Sequence, residues 1–167
     1  AGTKNIADLA MKYKVYKCMM ISTDHAFAPV HVMGYSKRLA EIYIQGLSQK
    51  IVQEKLATKL VIIRFADVYP DAPRSLMTLS EACQLILEVG DIGENGDIYV
   101  FEDEGTLENE PTCCVRVKKS KETIAGTDVA CKQVASLIEN SESCESLTII
   151  NEMKKIISSI AESSIEV

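Results

Sequence analysis

The spacing of apolar residues divides this chain into alternating helices and strands. Ile6, Leu9, Ala10 and Tyr13 recur at intervals of one to three residues along one helical stripe, with Asn5 or Thr3 available as its cap. Cys18-Met19-Met20-Ile21 is a short apolar run that turns polar abruptly at Ser22, which predicts a buried strand. A Pro-containing loop follows through Val32, then a strongly periodic helix from about Gly34 to Ile51. Its Leu39, Ile42, Tyr43, Gly46 and Leu47 share one face, while Tyr35, Ile42 and Ile44 lie among charged residues on the outward side. Thr58 to Phe65 is β-branched and mostly apolar, as a buried parallel strand should be.

Beyond residue 78 the pattern continues. Ser80 to Glu88 reads as a helix with Ser80 as N-cap and Gly90 near its end. Gly93 to Asp97 forms a turn, Ile98 to Phe101 a strand, and Val115 to Lys118, alternating apolar and basic, a short edge strand. Two amphipathic helices end the chain. Val129, Val134, Leu137 and Ile138 mark the first, and Leu147, Ile150, Met153, Ile156, Ile157 and Ile160 the second. Ser141 to Ser143 separates them. The fold class is α/β: a parallel sheet with flanking helices and a helical C-terminal region.

Length and charge narrow the picture. At 167 residues the chain fits one domain with a substantial core. A net charge of −6 argues against a nucleic-acid partner. No apolar run is long enough for a membrane span and no secretory signal opens the chain, so a cytoplasmic protein is expected. The six cysteines lack zinc-finger spacing: Cys113 and Cys114 are adjacent, and Cys18, Cys83, Cys131 and Cys144 sit mostly in apolar contexts. Buried free thiols are expected and no metal site.

The candidate chemistry lies between Cys18 and Gln49. A strand ending in hydroxyl, carboxylate and imidazole groups precedes a helix whose first turn presents Lys37, and ligands of open α/β sheets gather at such strand ends. The runs Ser22-Thr23-Asp24-His25-Ala26 and Met33-Gly34-Tyr35-Ser36-Lys37-Arg38-Leu39-Ala40-Glu41 resemble the active-site segment of extended short-chain dehydrogenase/reductases. They are most similar to the nucleotide-sugar dehydratase and epimerase branch of capsule and O-antigen biosynthesis, such as UDP-N-acetylglucosamine 4,6-dehydratases. The resemblance is strongest over residues 1–101 and weak after about residue 120.

That resemblance implies a partial Rossmann-like sheet and assigns roles residue by residue. Thr23 and Lys37 match the hydroxyl that flanks the reacting sugar and the lysine that binds the nicotinamide ribose. Met33 stands where the family has its tyrosine, which leaves it as cofactor contact or as packing at the helix entrance. Asp24 and His25 occupy the Asp-Lys pair that protonates the leaving hydroxyl and removes the neighbouring proton; imidazole can replace the amine as base near neutral pH. Asp67 replaces a substrate-facing Asn, and Arg74 opens a run similar to a further family motif, so both are assigned to substrate binding. His31 is read as solvent-facing, and Arg38, Glu41 and Arg64 as a solvated helix face and sheet-end charges.

By family the cofactor is NAD(P) and the substrate a UDP-sugar. No Gly-x-x-Gly-x-x-Gly follows a strand, so a chain as given without bound cofactor is the alternative. The stretches after Asp67 and after Phe101 are shorter than the family leads one to expect. Residues 1–101 are read as the C-terminal half of the dinucleotide-binding domain, and 102–167 as a reduced substrate-domain remnant with C-terminal helices. Longer family members carry membrane anchors absent from this sequence. A homo-oligomer through the 36–50 helix is expected, and the rival to an enzyme is a catalytically inactive structural or interaction module.

Overall fold

The computed structural model describes residues 1–65, 68–69, 77–103, 115–120, 127–141 and 143–163. In chain order the elements are α1 (Gly2–Lys12), β1 (Lys17–Thr23), a 3-10 turn (Asp24–Ala26), α2 (Val32–Gln53), β2 (Lys59–Phe65), β3 (Val68–Tyr69) and β4 (Met77–Thr78). Then follow α3 (Leu79–Ile92), β5 (Ile98–Asp103), β6 (Val115–Lys119), α4 (Thr127–Asn140) and α5 (Ser146–Ser163). One sheet has the order β1-β2-β5-β6, with β6 antiparallel on an otherwise parallel sheet. The short β3 and β4 pair with each other in parallel as a separate ribbon, which the apolar pattern did not predict.

The parallel strands are apolar on both faces because helices cover both. Met20, Leu60, Ile62 and Ile98 pack with Ile42, Ile44 and Leu47 of α2 and with Val134, Ile156 and Ile160 of α4 and α5. On the opposite face Val61, Ile63, Phe65 and Tyr99 meet Ala82, Leu85 and Val89 of α3. Burying each of the larger side chains contributes about 1.5–3 kcal/mol before the entropy of ordering is subtracted. The turn after α3 needs its glycine: Gly96 has φ +86°, and a Cβ there would lie 2.8 Å from Ser48 Oγ. Asn95 fastens the same turn, donating to Ser48 O and accepting from Leu60 N–H.

Several local expectations are corrected. Helix α1 begins at Gly2, so Thr3 and Asn5 lie inside it, and Ala1 caps it without a side-chain bond. The cap of α3 is Thr78, not Ser80, because Thr78 and Glu81 stand at the spacing of a reciprocal capping box: Thr78 Oγ1 accepts from Glu81 N–H while Glu81 Oε2 accepts from Thr78 N–H. Cys83 and Cys144 are exposed rather than buried; all four described cysteines are free thiols, and Cys113 and Cys114 lie outside the described residues. Val129 and Leu147, placed on helix stripes, are exposed.

The largest correction concerns α2. Ile42 and Ile44, read as an outward face that a second copy would cover, are 0% and 2% exposed. They belong to a buried cluster built with residues of α1, the sheet, α4 and α5 of the same chain, and Lys154 of α5 sits 5.7 Å from the Tyr35 ring centroid. The apolar excess that motivated a homo-oligomer through residues 36–50 is therefore satisfied within the chain.

Candidate functional site

Strand alternation sorts the end of β1 into two environments. Ser22 faces α2 and is buried, whereas Thr23 begins the turn that leads away from the sheet. Thr23 has extended backbone and caps the 3-10 turn, its Oγ1 accepting from His25 N–H at 3.4 Å. Asp24 Oδ1 accepts from His25 N–H at 2.7 Å and from Thr23 Oγ1 at 3.0 Å. The His25 imidazole Nε2 stands 3.9 Å from the same oxygen, and both side chains are more than half exposed. Hydroxyl, carboxylate and imidazole thus share one turn at the carboxyl end of a parallel strand.

The first turn of α2 packs against this turn through a glycine. A Cβ on Gly34 would lie 2.8 Å from His25 O and 3.1 Å from Pro29 Cβ, so only glycine permits this approach without displacement. One turn later Lys37 Nζ donates to Ile21 O at 3.1 Å. Met33 is 57% exposed on the same helical turn, and His31 is exposed just before it. Thr23, Asp24, His25 and Lys37 are therefore brought to one end of β1. Asp67 and Arg74 lie outside the described residues.

Beneath the turn lies a group of charges that the sequence reading placed in solvent. Glu41 is 0% exposed and Arg64 is buried. Glu41 Oε1 accepts from Ser22 Oγ at 2.7 Å and Arg64 Nε at 2.9 Å, and Oε2 accepts from Arg64 Nη2 at 2.6 Å and Arg38 Nη1 at 3.2 Å. This two-pronged Arg–carboxylate pair, completed by a hydroxyl and a second guanidinium, joins β1, β2 and α2 immediately under the candidate chemistry. The Phe27 ring, 5.9 Å from the Arg64 guanidinium carbon, links the knot to the loop above it. Two signals pointed to it: a lone Arg in an otherwise apolar parallel strand and an acidic residue between Leu39 and Ile42.

The β1–α2 connection is a 3-10 turn and a Pro-containing loop whose one close glycine, Gly34, is closely approached by His25 and Pro29. A pyrophosphate cradle needs open backbone N–H groups at a glycine turn, and these residues do not fit one. Among the described residues no group of three or more His, Cys, Asp or Glu side chains is arranged to hold a metal ion, and no helix is long and apolar enough to cross a membrane.

Comparison with known proteins agrees with this architecture. Residues 1–72 match the family described as polysaccharide biosynthesis protein. The capsular polysaccharide biosynthesis protein CapD of Staphylococcus aureus is 33% identical over 125 residues, covering 60% of this chain and 20% of its own. A UDP-glucose 4-epimerase of Rickettsia rickettsii is 27% identical over 168 residues, covering 84% of this chain and 49% of its own. The X-ray structure of Pen from Bacillus thuringiensis superposes with a TM-score of 0.55 at 17% identity over 83% of this chain and 44% of that one, a likeness of Rossmann-like fold. The chain thus spans 20% to 49% of the length of these curated relatives. Over residues 1–72, which hold the edge strand β1 and its neighbour β2, these likenesses support kinship with short-chain dehydrogenase/reductase-like nucleotide-sugar enzymes, which the motif from Ser22 to Glu41 resembles.

Proposed function

We propose that this chain forms the substrate-side part of a nucleotide-sugar-modifying enzyme of the UDP-N-acetylglucosamine 4,6-dehydratase type, working with NAD(P) in polysaccharide biosynthesis. Residues 1–101 are the C-terminal half of the dinucleotide-binding domain and 102–167 a reduced substrate region. The observation that carries the reading is the Thr23-Asp24-His25 turn at the carboxyl end of β1, beside Lys37. Asp24 is the acid that gives a proton to the leaving hydroxyl, and His25 the base that takes the neighbouring proton. A carboxyl and an imidazole of different proton affinity suit an elimination. Thr23 Oγ1 orients the sugar, while Asp67 and Arg74 contact the substrate. NAD(P) supplies transient oxidation of the sugar when bound. Because the described residues do not fit the pyrophosphate, the chain alone is expected to bind NAD(P) weakly in a calorimetric titration.

Loss of water from UDP-N-acetylglucosamine, followed by mass in the natural protein, tests the reading. Asp24→Asn is expected to lower the rate roughly a hundredfold, and His25→Lys to keep it. Normal turnover by Asp24→Asn would overturn the assignment. One observation favours a second reading, an inactive interaction module: the Asp24 carboxylate and the Lys37 ammonium are both engaged by neighbouring groups.

A further inference from the structure

Two patches of opposite charge meet at the end of the molecule where the parallel strands begin. One is the corner that joins α1 to β1, where Lys12, Tyr13, Lys14, Val15 and Tyr16 are all exposed. Its tyrosines Tyr13 and Tyr16 are 70% and 68% exposed. The other is the C-terminal end of α3, on which Leu87, Glu88 and Asp91 share a face and Leu87 is 75% exposed. Lys17, next to Tyr16, holds the patches side by side: its Nζ donates to Gly90 O at 2.6 Å and to Asp91 O at 3.1 Å.

Neither patch is satisfied where it stands. The Lys14, Glu88 and Asp91 side chains make no hydrogen bond or ion pair among the described residues. An anion in the last turn of a helix opposes its dipole, as Asp91 does, and no basic residue of α3 offsets it there. Exposed apolar side chains that are contiguous and rimmed by charge mark interaction surfaces. Unlike Ile42 and Ile44 of α2, Tyr13, Tyr16 and Leu87 are left open by the rest of the chain.

We propose that this end of the molecule is a self-association face, on which two copies pair about a two-fold axis so that the α1–β1 corner of each lies on the end of α3 of the other. The occupant follows from charge and placement. A basic patch directly beside an acidic one is self-complementary, because in a two-fold interface each patch meets its opposite and the contact is made twice. Lys12 and Lys14 then face Glu88 and Asp91 of the second copy, and Leu87 packs against its Tyr13 and Tyr16. Lysines arriving at the end of α3 also offset the unfavourable placement of Asp91. The proposal is independent of the enzymatic reading, since Thr23, Asp24 and His25 lie at the other end of β1.

Sedimentation equilibrium of the full chain over roughly a hundredfold range of concentration tests it. The mass is expected to rise to twice that of the monomer and stop there, and to fall back as salt is raised. Lys12→Glu with Lys14→Glu makes both patches acidic, and Glu88→Lys with Asp91→Lys makes both basic. Each double variant is expected to weaken self-association about tenfold or more. Mixed in equal amounts, the two present an acidic corner to a basic helix end and a basic corner to an acidic one, so a heterodimer of parental strength is expected. Both variants remain net negative, because each moves the parent's −6 by only four units; mixing them supplies no general attraction. Leu87→Ser, which removes an apolar contact and no charge, is expected to weaken pairing about tenfold and covers the case in which a reversed variant fails to fold. A monomer at every concentration overturns the proposal. Growth past the dimer does so too, since it would mean head-to-tail contacts that do not close. Parental pairing by a reversed variant alone, by Leu87→Ser, or no pairing in the mixture likewise overturns it.

Discussion

Ser22 and Thr23 are neighbours in sequence and belong to opposite parts of the molecule. The first is sealed into an ion-pair knot with Glu41, Arg64 and Arg38; the second opens onto a half-exposed turn with Asp24 and His25. Strand alternation alone makes the separation, since consecutive side chains leave opposite faces. Polar residues at the end of a strand are therefore not one class. Those on the α2 side hold the frame, and those just past the strand's end are available for chemistry.

The sharpest way to break the comparison is to open the knot. Arg64→Met leaves Glu41 buried without its main partner and is expected to cost about 3–5 kcal/mol in urea unfolding. Combining it with Glu41→Leu should recover a large part of that loss, because removing both charges of a buried pair is often neutral. A double variant as unstable as the single would show that the charges do more than compensate each other. On the exposed side, Asp24→Asn should change stability by no more than about 0.5 kcal/mol, while the roughly hundredfold loss of rate belongs to the functional reading. A large stability loss there would erase the distinction between the two groups.

Smaller effects sharpen it. Gly34→Ala pushes a methyl group against His25 O and Pro29, and a cost of about 1–3 kcal/mol is expected from the forced shift. Differential scanning calorimetry of that variant measures how tightly the turn is seated. Thr78→Ala removes the α3 cap at a cost of about 1 kcal/mol. Here pH adds a check. The Thr78 N–H, and then its hydroxyl, hold the Glu81 carboxyl below its ordinary value of 4.5. A lowered folded-state value contributes stability that is present above the unfolded value and lost as pH falls through the folded one. The stability gap between parent and Thr78→Ala should accordingly narrow in acid, below the ordinary Glu range. A gap unchanged into strong acid would count against the carboxylate's part in the box.

Much of the frame was legible in the residues. The run Thr58 to Phe65 could be little other than a buried strand, and the periodicity after Gly34 called for a long helix. The motif around Ser22 to Glu41 pointed to a nucleotide-sugar family of capsule and O-antigen biosynthesis, and residues 1–72 match the family described as polysaccharide biosynthesis protein. Element ends were less legible because capping depends on which side chain finds a backbone N–H. Thr78 and Ser80 offer the same hydroxyl, and only Thr78 has Glu81 at the reciprocal spacing. The candidate turn was readable as a local cluster, since Thr23, Asp24 and His25 are consecutive. The hydrogen bond from Lys37 to Ile21 O was not, because it joins residues on two elements.

By itself the sequence determined the order of the helices and of the four strands of the main sheet, the apolar faces of the parallel strands and the kinship of the segment from Ser22 to Glu41. Those properties follow from local spacing and residue type, which act within a few residues. The tertiary structure alone decided that Glu41 and Arg64 meet, 23 positions apart, and that Ile42 and Ile44 of α2 are buried within the chain. Charge pattern along one helix carries no record of what will pack on it. Whether an acidic residue is solvated or buried, and whether an apolar stripe needs a second copy, depends on segments distant in sequence being folded against it.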